Sequence, residues 1–303
     1  MPSAYAEIAA AFPWFFPAVV GVFGACIGSF LNVVIYRLPK NESIVSPRSH
    51  CACGQPIKWY DNIPVFSWFA LRGKARCCGR PYSFRYAFVE LLTAGLFVAC
   101  WLLLPPAKAA CGMLLVSALV CATFIDIDHL IIPDVFTLGL GVVGVVLSFV
   151  VPALHDQHSG IYLVDGLRSG VISLQGLFAG SGLVLWILLV AEAVLKKEAM
   201  GFGDVKFVGA IGAFCGWQGA VFAMFGGAMI GTLWFAFALA WEKIAGQPAA
   251  VAPKAETPEG EATELGFGAH IPFGPAIALA GLLHFLYFHQ WVAAYFAQIG
   301  ALL

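Results

Sequence analysis

Between Phe207 and Trp241 the chain runs for 35 residues without one Asp, Glu, Lys or Arg. About 20 predominantly apolar residues suffice to cross the hydrocarbon of a bilayer. Six further uncharged runs occur: Ile8 to Tyr36, Leu91 to Ala107, Ala109 to Ile125, Val135 to Leu154, Ser169 to Ala191 and Leu265 to Leu303. The 207–241 run is long enough for two short spans turning at Gly216-Trp217-Gln218-Gly219, which brings the expected number of transmembrane helices to about eight. Helices are expected because a chain surrounded by lipid must satisfy its backbone internally. Of the 303 residues, 61% are hydrophobic and only 11% charged. A soluble domain carries roughly 25% charged residues, so a water-soluble globule is excluded. The fold class is an all-α polytopic membrane protein.

Orientation follows from the cations. Nine of the sixteen Lys and Arg residues fall between Arg37 and Arg85, which the positive-inside rule assigns to the cytoplasm, with the N-terminus outside. The first run is expected to be a retained span and not a cleaved signal, because the positive charges follow it. Counting onward, the turn after Ile125, the Lys196 to Lys206 segment and the stretch after Trp241 are cytoplasmic. The last of these, "AGQPAAVAPKAETPEGEATE", has the composition of a disordered linker. The expected organisation is a first transmembrane helix (8–38), a cytoplasmic Cys-cluster domain (39–83), a transmembrane core (84–241), a cytoplasmic linker (242–270) and a last helix (271–303). Gly24-x-x-x-Gly28 and Gly227-x-x-x-Gly231 are spacings that let helices approach closely. Membrane lipid is the expected surrounding. There is no nucleotide-binding strand-turn-helix, and nucleic acid is not an expected partner.

Five of the nine cysteines, Cys26, Cys100, Cys111, Cys121 and Cys215, are scattered through the spans and read as small buried hydrophobes. The other four, Cys51, Cys53, Cys77 and Cys78, cluster in the basic segment as "HCACGQP" and "ARCCGRP". Each pair is followed by Gly and a turn-forming Pro. In a reducing cytoplasm such a set more often holds metal than disulfides, and structural zinc is the expected ion. The pairs are C-x-C and C-C where C-x-x-C is usual, so free or redox-labile thiols are the alternative, and His50 is a reserve ligand.

Carboxylates beside the spans are few enough to weigh singly. "TFIDIDHLIIPD" carries Asp126, Asp128 and Asp134; "GFGD" carries Asp204. Asp134 follows Pro133 at the start of a span, where a carboxylate complements the positive helix end. If helix continues through Asp126 and Asp128, about 100° per residue sets them on roughly opposite faces. Asp126 and Asp204 both fall at the expected cytoplasmic ends of spans. Two carboxylates held close share one proton, and such a pair suits peptide hydrolysis. Gly201 and Gly203, lacking Cβ atoms, would let an extended substrate approach the backbone beside Asp204. The alternative for Asp204 is a helix cap after a Gly-rich turn.

These motifs occur in a recognisable order. Gly-x-Gly-Asp, preceded by D-x-D-x-x-x-x-P-D on an earlier helix, resembles the type IV prepilin peptidases, a family of G-x-G-D intramembrane aspartyl proteases. The likeness extends through "GSFLNVVIYRLP" (28–39), "WYDNIPVFSW" (59–68), "LRGKARCCG" (71–79), "SFRYAFVELL" (83–92), "FIDIDHLIIPD" (124–134) and "GFGDVK" (201–206). The resemblance implies cleavage of prepilin and pseudopilin leaders after a glycine, at the cytoplasmic face of the bacterial inner membrane. It also implies N-methylation of the new first residue with S-adenosylmethionine. Asp126 matches the first family aspartate and Asp204 the second. Family members carry two C-x-x-C pairs. Here His50 and Ala75 stand where the first cysteine of each pair would be, with Cys51 and Cys77 beside them. Two other readings compete: an ion-coupled transporter, which would place its charges near mid-span, and a non-catalytic pilus or secretion assembly factor. No glycine-rich methyl-donor loop is recognisable, so the donor site is not assigned from the sequence.

Overall fold

The computed structural model describes residues 4–51, 53–196, 200–245 and 272–302. Most of the expected linker lies outside the described residues. The regular structure among them is helical, with two isolated β-bridges in the Cys segment. Six helices are long and apolar enough to cross a membrane. The chain divides into two compact units, residues 1–121 and 122–303.

Unit one opens with α1 (Ala4–Ala11) and α2 (Phe15–Arg37). A single helix is expected from residue 8, but Pro13 offers no backbone N–H, and the chain turns at 13–14 before α2 begins. Pro17 is tolerated because it lies in the first turn of α2, where N–H groups have no helical partner. A small helix, α3 (Phe66–Ala70), follows in the connecting segment, and α4 (Arg85–Leu103) returns. Gly24 and Gly28 seat α2 on α4: a Cβ at Gly28 would lie 2.7 Å from the Glu90 Cα, and one at Gly24 2.9 Å from the Ala94 Cα. The small-residue spacing read from the sequence is therefore a packing device. Leu104 is extended ahead of Pro105 (φ −123, ψ 151), and Pro106 is the first residue of α5 (Pro106–His129).

Unit two continues from the end of α5 through a π turn (Val135–Gly139) into α6 (Leu140–Val150), then α7 (Tyr162–Leu195) and α8 (Phe202–Ala245). Beyond residue 271 come α9 (Gly274–Leu283), a second π turn (His284–Phe288) and α10 (His289–Leu302). The pattern of α7 is that of a helix in lipid. Its buried stripe is small or polar (Asp165, Gly166, Ser169, Gly170, Ser173, Gly176, Gly180), while Trp186, Phe178 and Leu163 are about 70% exposed. Within a bilayer, close packing of small residues and hydrogen bonds replace apolar burial as the source of association. Accordingly Ser173 donates to the Ala213 carbonyl of α8 at 2.7 Å, and a Cβ on Gly176 would collide with the Gly212 carbonyl.

The expected eight spans and the six long apolar helices differ in two places. The Val135–Val150 helix is shorter than a full crossing. The Phe202–Ala245 stretch is two helices joined across a kink at Gly216 (φ 71, ψ 178), where the turn is expected; a Cβ on Gly212 would lie 3.0 Å from Ala220 Cβ, so the second helix folds back on the first.

Candidate active site

α5 runs without interruption through Asp126 and Asp128, and so separates them. Asp126 is buried at 6% exposure, whereas Asp128 is exposed. The helix stops three residues later, where Leu130 takes φ 54 and its N–H donates to the Asp126 carbonyl at 2.9 Å. Asp204 occupies the first turn of α8, with its N–H on the Gly201 carbonyl at 3.1 Å, and is 9% exposed. Both aspartates lie beside Ile132: its side chain would meet a Cβ on Gly203 at 3.7 Å and one on Gly274, which neighbours Asp126, at 3.0 Å. Two buried acidic side chains at helix ends are thus neighbours within unit two.

A third element completes the pair. The backbone N–H of Gly274, first residue of α9, donates to Asp126 Oδ2 at 3.0 Å. The N-terminus of a helix is a natural partner for a carboxylate, because its first N–H groups lack helical acceptors. Gly274 must also be a glycine. A Cβ there would lie 2.6 Å from Asp126 Oδ2 and 3.0 Å from Ile132 Cδ1. The sequence reading missed this residue, although "FGPA" carries the signal: Pro in the first turn of an apolar helix, with Gly immediately before it.

Gly201 and Gly203 behave differently. The closest atom to a Cβ on Gly203 would be Ile132 Cβ at 3.7 Å, and on Gly201 it would be Asp204 Oδ2 at 3.9 Å. Those are ordinary contacts, and neither residue has a positive φ. Packing and backbone conformation therefore leave both glycines unexplained.

Asp134 stands at the start of a helix, as expected, and has a partner the sequence did not disclose. It forms an ion pair with Lys206, two residues after Asp204, and accepts from the Thr137 hydroxyl at 3.4 Å. The Lys206 ammonium beside it holds the Asp134 carboxyl below the usual carboxylate range. Its side chain is 64% exposed.

In unit one the four cysteines meet. Cys51 Sγ is 3.6 Å from Cys78 Sγ, Cys53 Sγ is 3.4 Å from Cys77 Sγ, and all four sulfurs lie within 4.8 Å of one another. Two similar turns present them. In one, Cys51 N–H bonds the Gln55 carbonyl, with Gly54 at φ 86; in the other, Ala75 N–H bonds the Arg80 carbonyl, with Gly79 at φ 68. Both glycines adopt the left-handed conformation that such turns require. The C-x-C and C-C spacings converge because Ala75 takes up the turn's hydrogen bond, leaving Cys77 and Cys78 at its tip. A Cys53 N–H and the Cys77 and Cys78 thiols pull Cys51 down to about 7, whereas its contacts with Cys51 and Cys53 push Cys77 up to about 12. His50 is not in the cluster; its Nδ1 lies 3.2 Å from the Arg48 carbonyl. Asp61 fastens the second turn by accepting from Arg76 Nε at 2.9 and 3.1 Å.

The fold and the paired site define a multi-pass helical membrane protein with buried carboxylates at helix ends. Residues 22–104 match the family model described as the bacterial peptidase A24 N-terminal domain, and residues 113–236 that of the type IV leader peptidase family. Similar curated proteins are named prepilin leader peptidase/N-methyltransferase. That of Myxococcus xanthus is 40% identical over 72% of this chain and 63% of its own length; that of Aeromonas hydrophila is 38% identical over 70% and 77%. That of Xanthomonas campestris pv. campestris is 32% identical over 94% of this chain and 96% of the relative. The chain belongs to the type IV leader peptidase family. No solved structure matches it significantly.

Proposed function

We propose that this protein cleaves the leader from prepilins and pseudopilins after a glycine and N-methylates the residue exposed by the cut. The reading takes the bacterial inner membrane as its location, with the site opening to the cytoplasm, residues 39–83 as a cytoplasmic domain and 84–241 as the peptidase core. The observation that carries it is the pair Asp126–Asp204, buried at two helix ends with the Gly274 N–H seated on one member.

With one proton shared between them, the ionised carboxylate takes a proton from water as its oxygen adds to the scissile carbonyl carbon. The protonated partner donates to the carbonyl oxygen. Collapse of the tetrahedral intermediate breaks the C–N bond, and the leaving nitrogen takes up a proton. A peptide bond inside a formed helix is shielded from attack, so the substrate enters extended. Gly201 and Gly203, which present no side chain and make no close contact, are the backbone against which it would lie.

The test incubates the full-length protein in detergent with a purified prepilin and follows product mass, with and without S-adenosylmethionine. Cleavage should occur in both, and the mature chain should gain one methyl group only with the donor. Replacing the substrate glycine before the cut by Ala, Val and Leu should lower cleavage steeply with size. Equal rates across that series would remove the role given to Gly201 and Gly203.

Zinc is the proposed occupant of the cysteine cluster. Four thiolates around one ion at about 2.3 Å would stand about 3.8 Å apart, close to the 3.6 and 3.4 Å of the two sulfur pairs and inside the 4.8 Å that contains all four. Between residues 41 and 83 the only buried described residues are Ser67 and Gly73, so the segment lacks an apolar core and a metal would supply its cohesion. Elemental analysis of purified protein should find about one zinc per chain, and Cys51→Ser or Cys78→Ser should bring it well below one. A disulfide among these four in freshly prepared protein would replace the metal assignment.

A further inference from the structure

The five residues that follow α5, Leu130 to Asp134, run from one buried carboxylate to the segment that carries the other. At the start, the Leu130 N–H donates to the carbonyl of Asp126 itself, with Leu130 at φ 54. A left-handed backbone is unfavourable for a leucine, and such positions gather at active sites. At the end, Asp134 is paired with Lys206, two residues beyond Asp204. Pro133 has a fixed φ, and its carbonyl accepts the Phe136 N–H at 2.9 Å. The segment is a short strap tied to both helix ends.

Ile132 is the middle residue of that strap. Its Cδ1 would lie 3.0 Å from a Cβ on Gly274, the same point that Asp126 Oδ2 would approach to 2.6 Å. Its Cβ would lie 3.7 Å from a Cβ on Gly203, the residue before Asp204. An apolar, branched side chain thus stands beside both carboxylates, where neither proton transfer nor charge requires one. It is half-buried, whereas Leu130 and Ile131 before it are exposed.

We propose that Ile132 sets the size limit at the cut, as the wall that restricts the residue before the scissile bond to glycine. This rests on the proposed leader cleavage and names the residue that enforces its specificity. A single carbon placed on Gly203 already reaches van der Waals contact with Ile132. A substrate backbone lying along these glycines therefore has no room on that side for a longer side chain of its own. The wall does not yield, because the strap is tied at both ends and a β-branched side chain is stiff at χ1. A clash built against the wrong substrate sets specificity as effectively as attraction to the right one.

The test compares kcat/KM of the full-length protein in detergent for two forms of one purified prepilin, with glycine or alanine before the cut. The ratio of the two is the readout. Ile132→Ala removes three carbons and should lower the preference for glycine about tenfold or more, through faster cleavage of the alanine form; one methylene alone is worth roughly 10–200-fold in a size-selective site. Ile132→Val removes only Cδ1 and should lower the preference by a smaller factor. Ile131→Ala, on the exposed neighbour, should leave the ratio unchanged. Where thermal unfolding shows that Ile132→Ala has lost its fold, Ile132→Val decides by the same ratio. If Ile132 only packs against Gly274 and so places Asp126, cleavage of both forms falls together and the preference stays; that result would overturn the size limit alone. No cleavage of the glycine form by the wild-type protein would overturn the proposed function and this inference with it.

Discussion

Asp126→Asn and Asp204→Asn should each lower leader cleavage by on the order of 10³-fold or more, while Asp128→Asn and Asp134→Asn have much smaller effects. General acid–base groups contribute roughly 10²–10⁴-fold each, and in the proposed mechanism one carboxylate cannot replace the other. Amide side chains preserve size and can accept the Gly274 N–H, so loss of activity would report loss of proton transfer rather than of packing. Asp128 is exposed and Asp134 is committed to Lys206 and Thr137. Processing rates measured on one prepilin with all four variants decide the matter. An Asp126→Asn protein that cleaves at near wild-type rate would end the dyad assignment.

Gly274→Ala should be nearly as damaging although it adds one methyl group and removes no functional one. The added carbon would lie 2.6 Å from Asp126 Oδ2, forcing the carboxylate or the start of α9 to move. A displacement of about 1 Å at a reacting group can cost 10²-fold in rate. Gly182→Ala is the control, since nothing lies within 4 Å of a Cβ there. Thermal unfolding of both variants separates misfolding from misplacement. Normal cleavage by Gly274→Ala would show that this backbone contact does not hold the reacting carboxylate in place.

What the sequence disclosed and what it hid divide along a physical line. Uncharged runs are legible because each charge in hydrocarbon costs energy wherever it falls, so the helices announce themselves. The burial of Asp126 and exposure of Asp128 were legible too, since helical periodicity separates them. The turn near Gly216 is legible because two glycines flank it, and Pro13 is the local mark of the interruption between α1 and α2. Contacts between distant segments were beyond local reading. Gly274 meets Asp126 across 148 positions and Lys206 meets Asp134 across 72. The four cysteines had irregular spacing but a common destination, because two turns compensate for the shifted positions.

The break at Gly216 sets how this protein meets membranes of different depth. A continuous rod answers hydrophobic mismatch by tilting along its whole length, which would swing Asp204 whenever its far end had to tilt. At Gly216 the backbone leaves the helical range, so tilt taken up beyond it need not rotate the segment that carries Asp204. Lys206, two residues after that aspartate and paired with Asp134, pins the near segment further. Changes in acyl-chain length would then be absorbed on the distal side of the hinge, and the carboxylates would keep their register from one lipid environment to the next.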